Sequence, residues 1–139
     1  MRNIAALFSL LMPGFGQIYN GYFMKGVFFV IVEHLDNILG KINQAIHLDF
    51  NGYHQAALDI TVYDFMLFYP GFYAYAVWDA WYYAKEGANK ATTAIPFIFA
   101  GFLGEIGAIF APKFTIPTLT VGLFMIIPML IGMVIFRKH

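Results

Sequence analysis

From residue 91 to residue 136 only Glu105 and Lys113 carry a charge. A stretch that apolar has to be kept from water along most of its length. Residues 112–115, beginning with Pro112, divide it into two arms, 91–111 and 116–136. A helix needs about 20 residues, rising 1.5 Å each, to cross about 30 Å of hydrocarbon, and each arm meets that length. Pro117 falls in the first turn of the second arm, where its missing N–H costs nothing, and Pro128 predicts a bend further along.

The rest of the chain cannot build a water-soluble surface either. Soluble domains average about 25% charged residues, whereas here 12% are charged and 60% hydrophobic. A net charge of zero lacks the basic footprint of a nucleic-acid binder. The absence of Cys excludes disulfides, thiolate metal sites and thiol catalysis. The apolar run at residues 4–12 is not read as a signal peptide, because Pro13-Gly14-Phe15-Gly16-Gln17 follows where a small-residue cleavage site is needed.

Read in order, residues 4–12 are too short to span a bilayer, Pro13-Gly14 breaks any helix, and Gln17, Asn20 and Gly21 make the next stretch polar. Residues 3–21 thus read as a half-helix and a turn, either re-entrant or interfacial. Residues 26–47 predict a helix that changes character. Its first part is apolar all round. Beyond Val32, Glu33, Asp36, Asn37, Lys41, Asn43, Gln44 and His47 fall on one side, and Leu35, Ile38, Leu39, Ile42 and Ile46 on the other. Residues 48–57, containing Asn51-Gly52, read as a polar loop, and 58–84 as one long aromatic helix kinked at Pro70-Gly71. The fold class is therefore all-α integral membrane, one polytopic domain over 1–139, with about four crossings and a broken N-terminal half-helix.

Charge sets the orientation. Arg2, Lys25, Lys85, Lys90, Arg137 and Lys138 fall on one side of such a topology, and Lys41 and Lys113 on the other. The positive-inside rule makes the first side cytoplasmic, with both termini there. A fifth span through residues 3–21 would move Arg2 outside and weaken the bias, which favours re-entry.

The stretch Pro13-Gly14-Phe15-Gly16-Gln17-Ile18-Tyr19-Asn20-Gly21, with Lys25-Gly26 after it, resembles the bacterial branch of the two-transmembrane-helix domain family and its Pro-Gly-x-Gly-Gln-x-Tyr-x-Gly signature. The Trp78-Asp79-Ala80 segment running on to Lys85 resembles the end of that family's second helix. The match covers residues 3–32 and 70–90, leaving 33–69 and the C-terminal hairpin 91–136 outside it. The resemblance implies a multipass protein of a bacterial cell membrane, with no catalytic residues and no cofactor, and it places the Gln17 turn beside Asp79.

Candidate functional groups are the polar side chains such a topology holds at membrane depth: Gln17, Glu33, His34, Asp36, Asn37, Lys41, Asp64, Asp79 and Glu105. Buried charges there are costly and need partners. Glu33, Asn37 and Lys41, spaced i, i+4, i+8, read as a self-neutralising ladder; the same face alternatively lines an aqueous path or lies on the outer surface. Lys41 is the expected partner of Asp64, and Tyr75, Tyr82 or the Gln17 turn the expected donors to Asp79. Glu105 has no basic residue near it in sequence. It borders the stripe Ala100, Gly104, Ala108, which permits close helix contact. No two His lie at i, i+4, so no metal site is expected, and no nucleophile–base pair or phosphate loop marks an enzyme. The reading is a non-enzymatic scaffold or accessory subunit partnered by lipid and by itself or another membrane protein. The alternative is a small oligomeric ion or proton channel or carrier using the intramembrane carboxylates.

Overall fold

The computed structural model describes residues 1–139, and every regular element in it is helical. The elements are α1 (Arg2–Leu11), α2 (Phe15–Tyr19), α3 (Phe23–Gly40), α4 (Ile42–Phe50), α5 (His54–Ile60), α6 (Tyr63–Met66), α7 (Tyr69–Tyr83), α8 (Lys90–Ile109) and α9 (Pro117–Ile135), with a single 3₁₀ turn at Ala111–Lys113.

Helix α7 is the axis. Its side chains Tyr73, Val77, Trp78 and Trp81 are buried and meet Phe97 of α8 and Met125, Met129 and Met133 of α9 in one apolar core. Long-range contacts fix the direction of each neighbour. On α1, the Arg2 guanidinium donates to the carbonyls of Trp81, Tyr82 and Glu86, while the Tyr73 hydroxyl donates to the Leu10 carbonyl. Helix α1 therefore runs antiparallel to α7, from the C-terminal end of α7 to the level of Tyr73, one turn from the start of that helix. At the break, Gly14 adopts φ +108°, and a Cβ there would stand 2.3 Å from the Gly26 carbonyl, so only glycine fits. The chain then returns: Gln17 bonds to Ala76 and Asn20 to Ala80. Residues 2–21 form a hairpin that enters beside α7 and leaves at the end where it entered.

Helix α3 next rises along α7, from Lys25 at Asp79, past Phe29 at Phe72, to Glu33 at Tyr69. Helix α8 runs back up α7, from Thr93 at Trp78 to Gly104 at Pro70. Helix α9 descends to bring Phe136 against Trp81. Both chain ends thus lie at the Trp81 end of the bundle.

Several elements differ from the sequence reading. The helix expected over 26–47 breaks at Lys41, whose φ of +55° ends α3 and starts α4. The polar loop expected at 48–57 is mostly helical, since Asn51-Gly52 supplies only the tight turn between α4 and α5, with Gly52 at φ +90°. The long aromatic helix expected over 58–84 is three helices. Pro70 does not kink it; Pro70 sits in the first turn of α7, and the chain breaks just before it. Two helices, Lys90–Ile109 and Pro117–Ile135, are long and apolar enough to cross a membrane by themselves. Helix α3 has the length, with 18 residues, but carries Lys25, Glu33 and Asp36; α7 has only 15 residues.

Candidate functional site

The polar side chains are drawn into two clusters between α3 and α7. The lower one gathers residues from four helices. Asp79, 1% exposed, accepts from Gln17 Nε2 at 2.9 Å through one oxygen and pairs with Lys25 Nζ at 2.5 Å through the other. Gln17 Nε2 also donates to the Ala76 carbonyl at 2.8 Å, and its Oε1 accepts from Ser9 Oγ at 2.9 Å. Ser9 Oγ in turn accepts from the Gly16 N–H at 3.1 Å. Glycine is required at 16, because a Cβ would stand 2.1 Å from the Ala5 carbonyl and 2.6 Å from the Ala80 Cβ. The Lys25 ammonium lies 4.6 Å from the Tyr83 ring centre, which shields its outer side. Of the donors expected for Asp79, the Gln17 turn is the one that reaches it. Tyr75 and Tyr82 are not Asp79's donors. Lys25, Ser9 and Asn20 complete the cluster. The sequence uses Lys25 as a topological charge and as part of the Lys25-Gly26 motif, and its spacing from Asp79 offers no signal of their pairing.

The upper cluster lies on α3 a few turns away. Glu33 Oε1 accepts from Asn37 Nδ2 at 3.0 Å and from the Tyr69 hydroxyl at 3.4 Å. Its Oε2 lies 3.1 Å from Nδ1 of His34, but that nitrogen donates to the Val30 carbonyl at 2.9 Å, and the His34 ring is exposed. Asn37 Oδ1 accepts from the Asn43 N–H at 2.9 Å, capping α4 from the preceding helix. Asp36, 6% exposed, makes no hydrogen bond and no ion pair, and its Oδ2 is wholly enclosed.

The ladder expected to run on to Lys41 stops at Asn37, since α3 ends at Gly40 and Lys41 turns outward. The expected Lys41–Asp64 pair does not form: both side chains are exposed, and the ion pairs are Lys25–Asp79, His34–Glu33 and His54–Asp49. Glu105 is half-buried and unpaired, and it borders a groove of about 440 Å³ between α7 and α8 lined by Gly71, Ala74, Trp78, Phe97 and Gly101. The stripe Ala100, Gly104, Ala108 faces inward. A Cβ on Gly104 would meet Met125 of α9 at 2.4 Å and Pro70 of α7 at 2.8 Å, so the close contact it permits lies within this chain.

A third polar site, missed in the sequence, closes the far end. Asp49 Oδ2 accepts from the Thr118 N–H at 2.7 Å and from the Thr118 hydroxyl at 2.5 Å, and His54 Nδ1 lies 2.5 Å from Asp49 Oδ1. A carboxylate from α4 therefore caps the first turn of α9, where free N–H groups and the helix dipole favour negative charge. Burial works against the charged Asp49, but the hydrogen bonds from Thr118 and His54 outweigh it and hold the carboxyl below its usual range. No local spacing announces this contact, because the two partners are 69 residues apart.

Comparison with protein-family models, curated proteins and solved structures finds no match to the chain.

Proposed function

We propose that this chain is a multipass membrane protein, with α3, α6–α7, α8 and α9 as its about four crossings and the α1–α2 hairpin re-entrant from the cytoplasmic side. One observation carries this reading: the molecule is apolar on its outside and holds charged and polar side chains buried beside its apolar core. Gln17, Glu33, Asp36 and Asp79 are buried, while Phe28, Ile31, Ile98, Phe102, Ile127 and Ile131 are each more than half or nearly half exposed. A core helix of a soluble protein is mostly buried, yet the apolar windows of α8 and α9 are only 39% and 33% buried. The end of the bundle near Trp81 also gathers Arg2, Lys25, Lys85, Lys90, Arg137 and Lys138, the polarity of a cytoplasmic face. The resemblance to the two-transmembrane-helix domain family is part of the same proposal: its signature residues Gly14, Gly16, Gln17 and Asp79 all have structural work in the lower cluster or the turn above it.

The absence of native cysteine makes the test clean. Single cysteines at Tyr22 and Lys138 should label from the cytoplasmic side, and one at Gln55 from the opposite side. Release of the protein from membranes by alkaline carbonate would remove the reading.

Within the membrane its role is non-catalytic, as a scaffold or accessory subunit. The stripe on α8 is used internally, so the support for a partner moves to the apolar groove beside Glu105, whose carboxylate has no partner in this chain. Cysteines at Ile98 and Phe102, on the groove wall, should cross-link to a neighbour in native membranes. A strictly monomeric protein that cross-links to nothing would sink this role. A second reading, a small ion or proton carrier, is favoured by the paired carboxylates Glu33 and Asp36. It requires ion or proton flux in liposomes, and silence across several ions would eliminate it.

A further inference from the structure

Glu33 and Asp36 sit three residues apart on one face of α3, both buried, yet they are solvated very differently. Glu33 has the donors of a carboxylate: the Asn37 amide and the Tyr69 hydroxyl, both on Oε1. Asp36 has none, and its enclosed Oδ2 lacks a partner of any kind. A buried, ionised carboxylate with no donor and a second carboxylate beside it is opposed twice, by lost solvation and by like charge. The groups around it offer no relief. From α7 come the hydroxyls of Tyr69 and Tyr73, already given to Glu33 and to the Leu10 carbonyl. On α6, Asp64 points outward. On α4, Asp49 is committed to Thr118 and His54, and His47 is exposed. Tyr19 of α2 and Lys41 are exposed too.

Protonation resolves the conflict. A neutral carboxylic acid becomes a donor, and an acceptor for it stands one turn back on the same face. We propose that the Glu33–Asp36 pair is a proton-binding site, with Asp36 holding one exchangeable proton that it donates to the ionised Glu33 carboxylate. Release sends that proton to bulk solvent and leaves both carboxylates charged, so the pair titrates as a unit. Its state is connected to the backbone: Asn37 holds Glu33 with its amide nitrogen and caps α4 with its amide oxygen. Deprotonation places a second negative charge against this link and loosens the junction of α3 with α4. This inference needs only that the pair stays buried, and it is read at equilibrium without any flux.

The test is infrared spectroscopy of the full-length protein in lipid nanodiscs at neutral pH, in the carbonyl-stretch region of protonated carboxylic acids. The wild type should show a buried-acid band that disappears as the pH is raised. Asp36→Asn should abolish it, and Glu105→Gln should leave it intact. A wild type with no such band overturns the proposal whatever the variants do. A band that survives Asp36→Asn and vanishes in Glu105→Gln also overturns it, placing the proton at the groove. Failure of membrane integration would appear separately, in the carbonate wash.

Discussion

The two clusters along the α3–α7 seam are built from the same materials and solved in opposite ways. Around Asp79 both carboxylate oxygens, the Lys25 ammonium and the Gln17 amide have partners, drawn from α1, α2, α3 and α7. Around Glu33 one carboxylate is satisfied and its neighbour Asp36 is bare. A buried polar network that is complete rigidifies its surroundings, whereas an incomplete one stores a cost that a proton or a partner can relieve. The lower cluster therefore reads as architecture, pinning the hairpin to the central helix, and the upper one as chemistry.

That contrast can be broken from the lower side first. Gly16→Ala forces a Cβ against the Ala5 carbonyl and Ala80, where nothing flexible can yield, and should abolish the monodisperse protein in size-exclusion chromatography. Gly122→Ala on α9 meets nothing within 4 Å and should leave the elution profile unchanged. Lys25→Met strands the Asp79 charge and should cost about 3–5 kcal/mol by chemical unfolding in detergent. A loss under about 1 kcal/mol would show that the pair does not hold the hairpin.

A smaller effect belongs to the far end. Asp49→Asn weakens the cap on α9 and should cost about 0.5–2 kcal/mol at neutral pH. Because the folded-state value of Asp49 lies below its ordinary one, its contribution is present above about pH 4 and is lost as the pH falls through the lower folded value. The gap in melting temperature between wild type and Asp49→Asn should therefore hold from neutral pH down to about 4 and narrow as the pH falls further. A gap constant with pH would assign the effect to packing alone.

The smallest effect sharpens the comparison most. Asp36→Asn replaces the protonated acid with a neutral amide of the same size that can donate to Glu33 in its place, so stability at neutral pH should change by less than about 1 kcal/mol. A proton held by the folded chain and released on unfolding makes stability fall as pH rises. Wild type should thus show that alkaline loss and Asp36→Asn should show less of it, while Asp79→Asn should be costly at every pH. Equal penalties for the two substitutions would erase the distinction between the clusters.

Much of this was legible in residue order. The breakers Pro13-Gly14 and the apolar arms flanking Pro112 appear where the sequence placed them, because each depends on local backbone limits, and the Gln17 turn is one of the partners expected for Asp79. The misreadings share a cause. The sequence carries the helix over 26–47 through Lys41 because an amphipathic pattern continues across the break; the pattern records which face is polar, not whether the axis is continuous. Pro70 reads as a kink in sequence because the aromatic run is continuous on both sides of it. The 48–57 segment looked like a loop because its helices are short and held by contacts with α9.

By itself the sequence determined that this chain is helical, that its long arms are apolar, that its charges are few and that most of its basic residues fall toward one end. Those properties follow from composition and periodicity, which need no partner. Only the tertiary structure decided which charges are answered. Lys25 reaches Asp79 across 54 residues and Asp49 reaches Thr118 across 69, while Lys41, spaced well for Glu33, turns away. Satisfaction of a buried charge depends on distances of a few ångströms between elements far apart in the chain, and no local pattern carries that information.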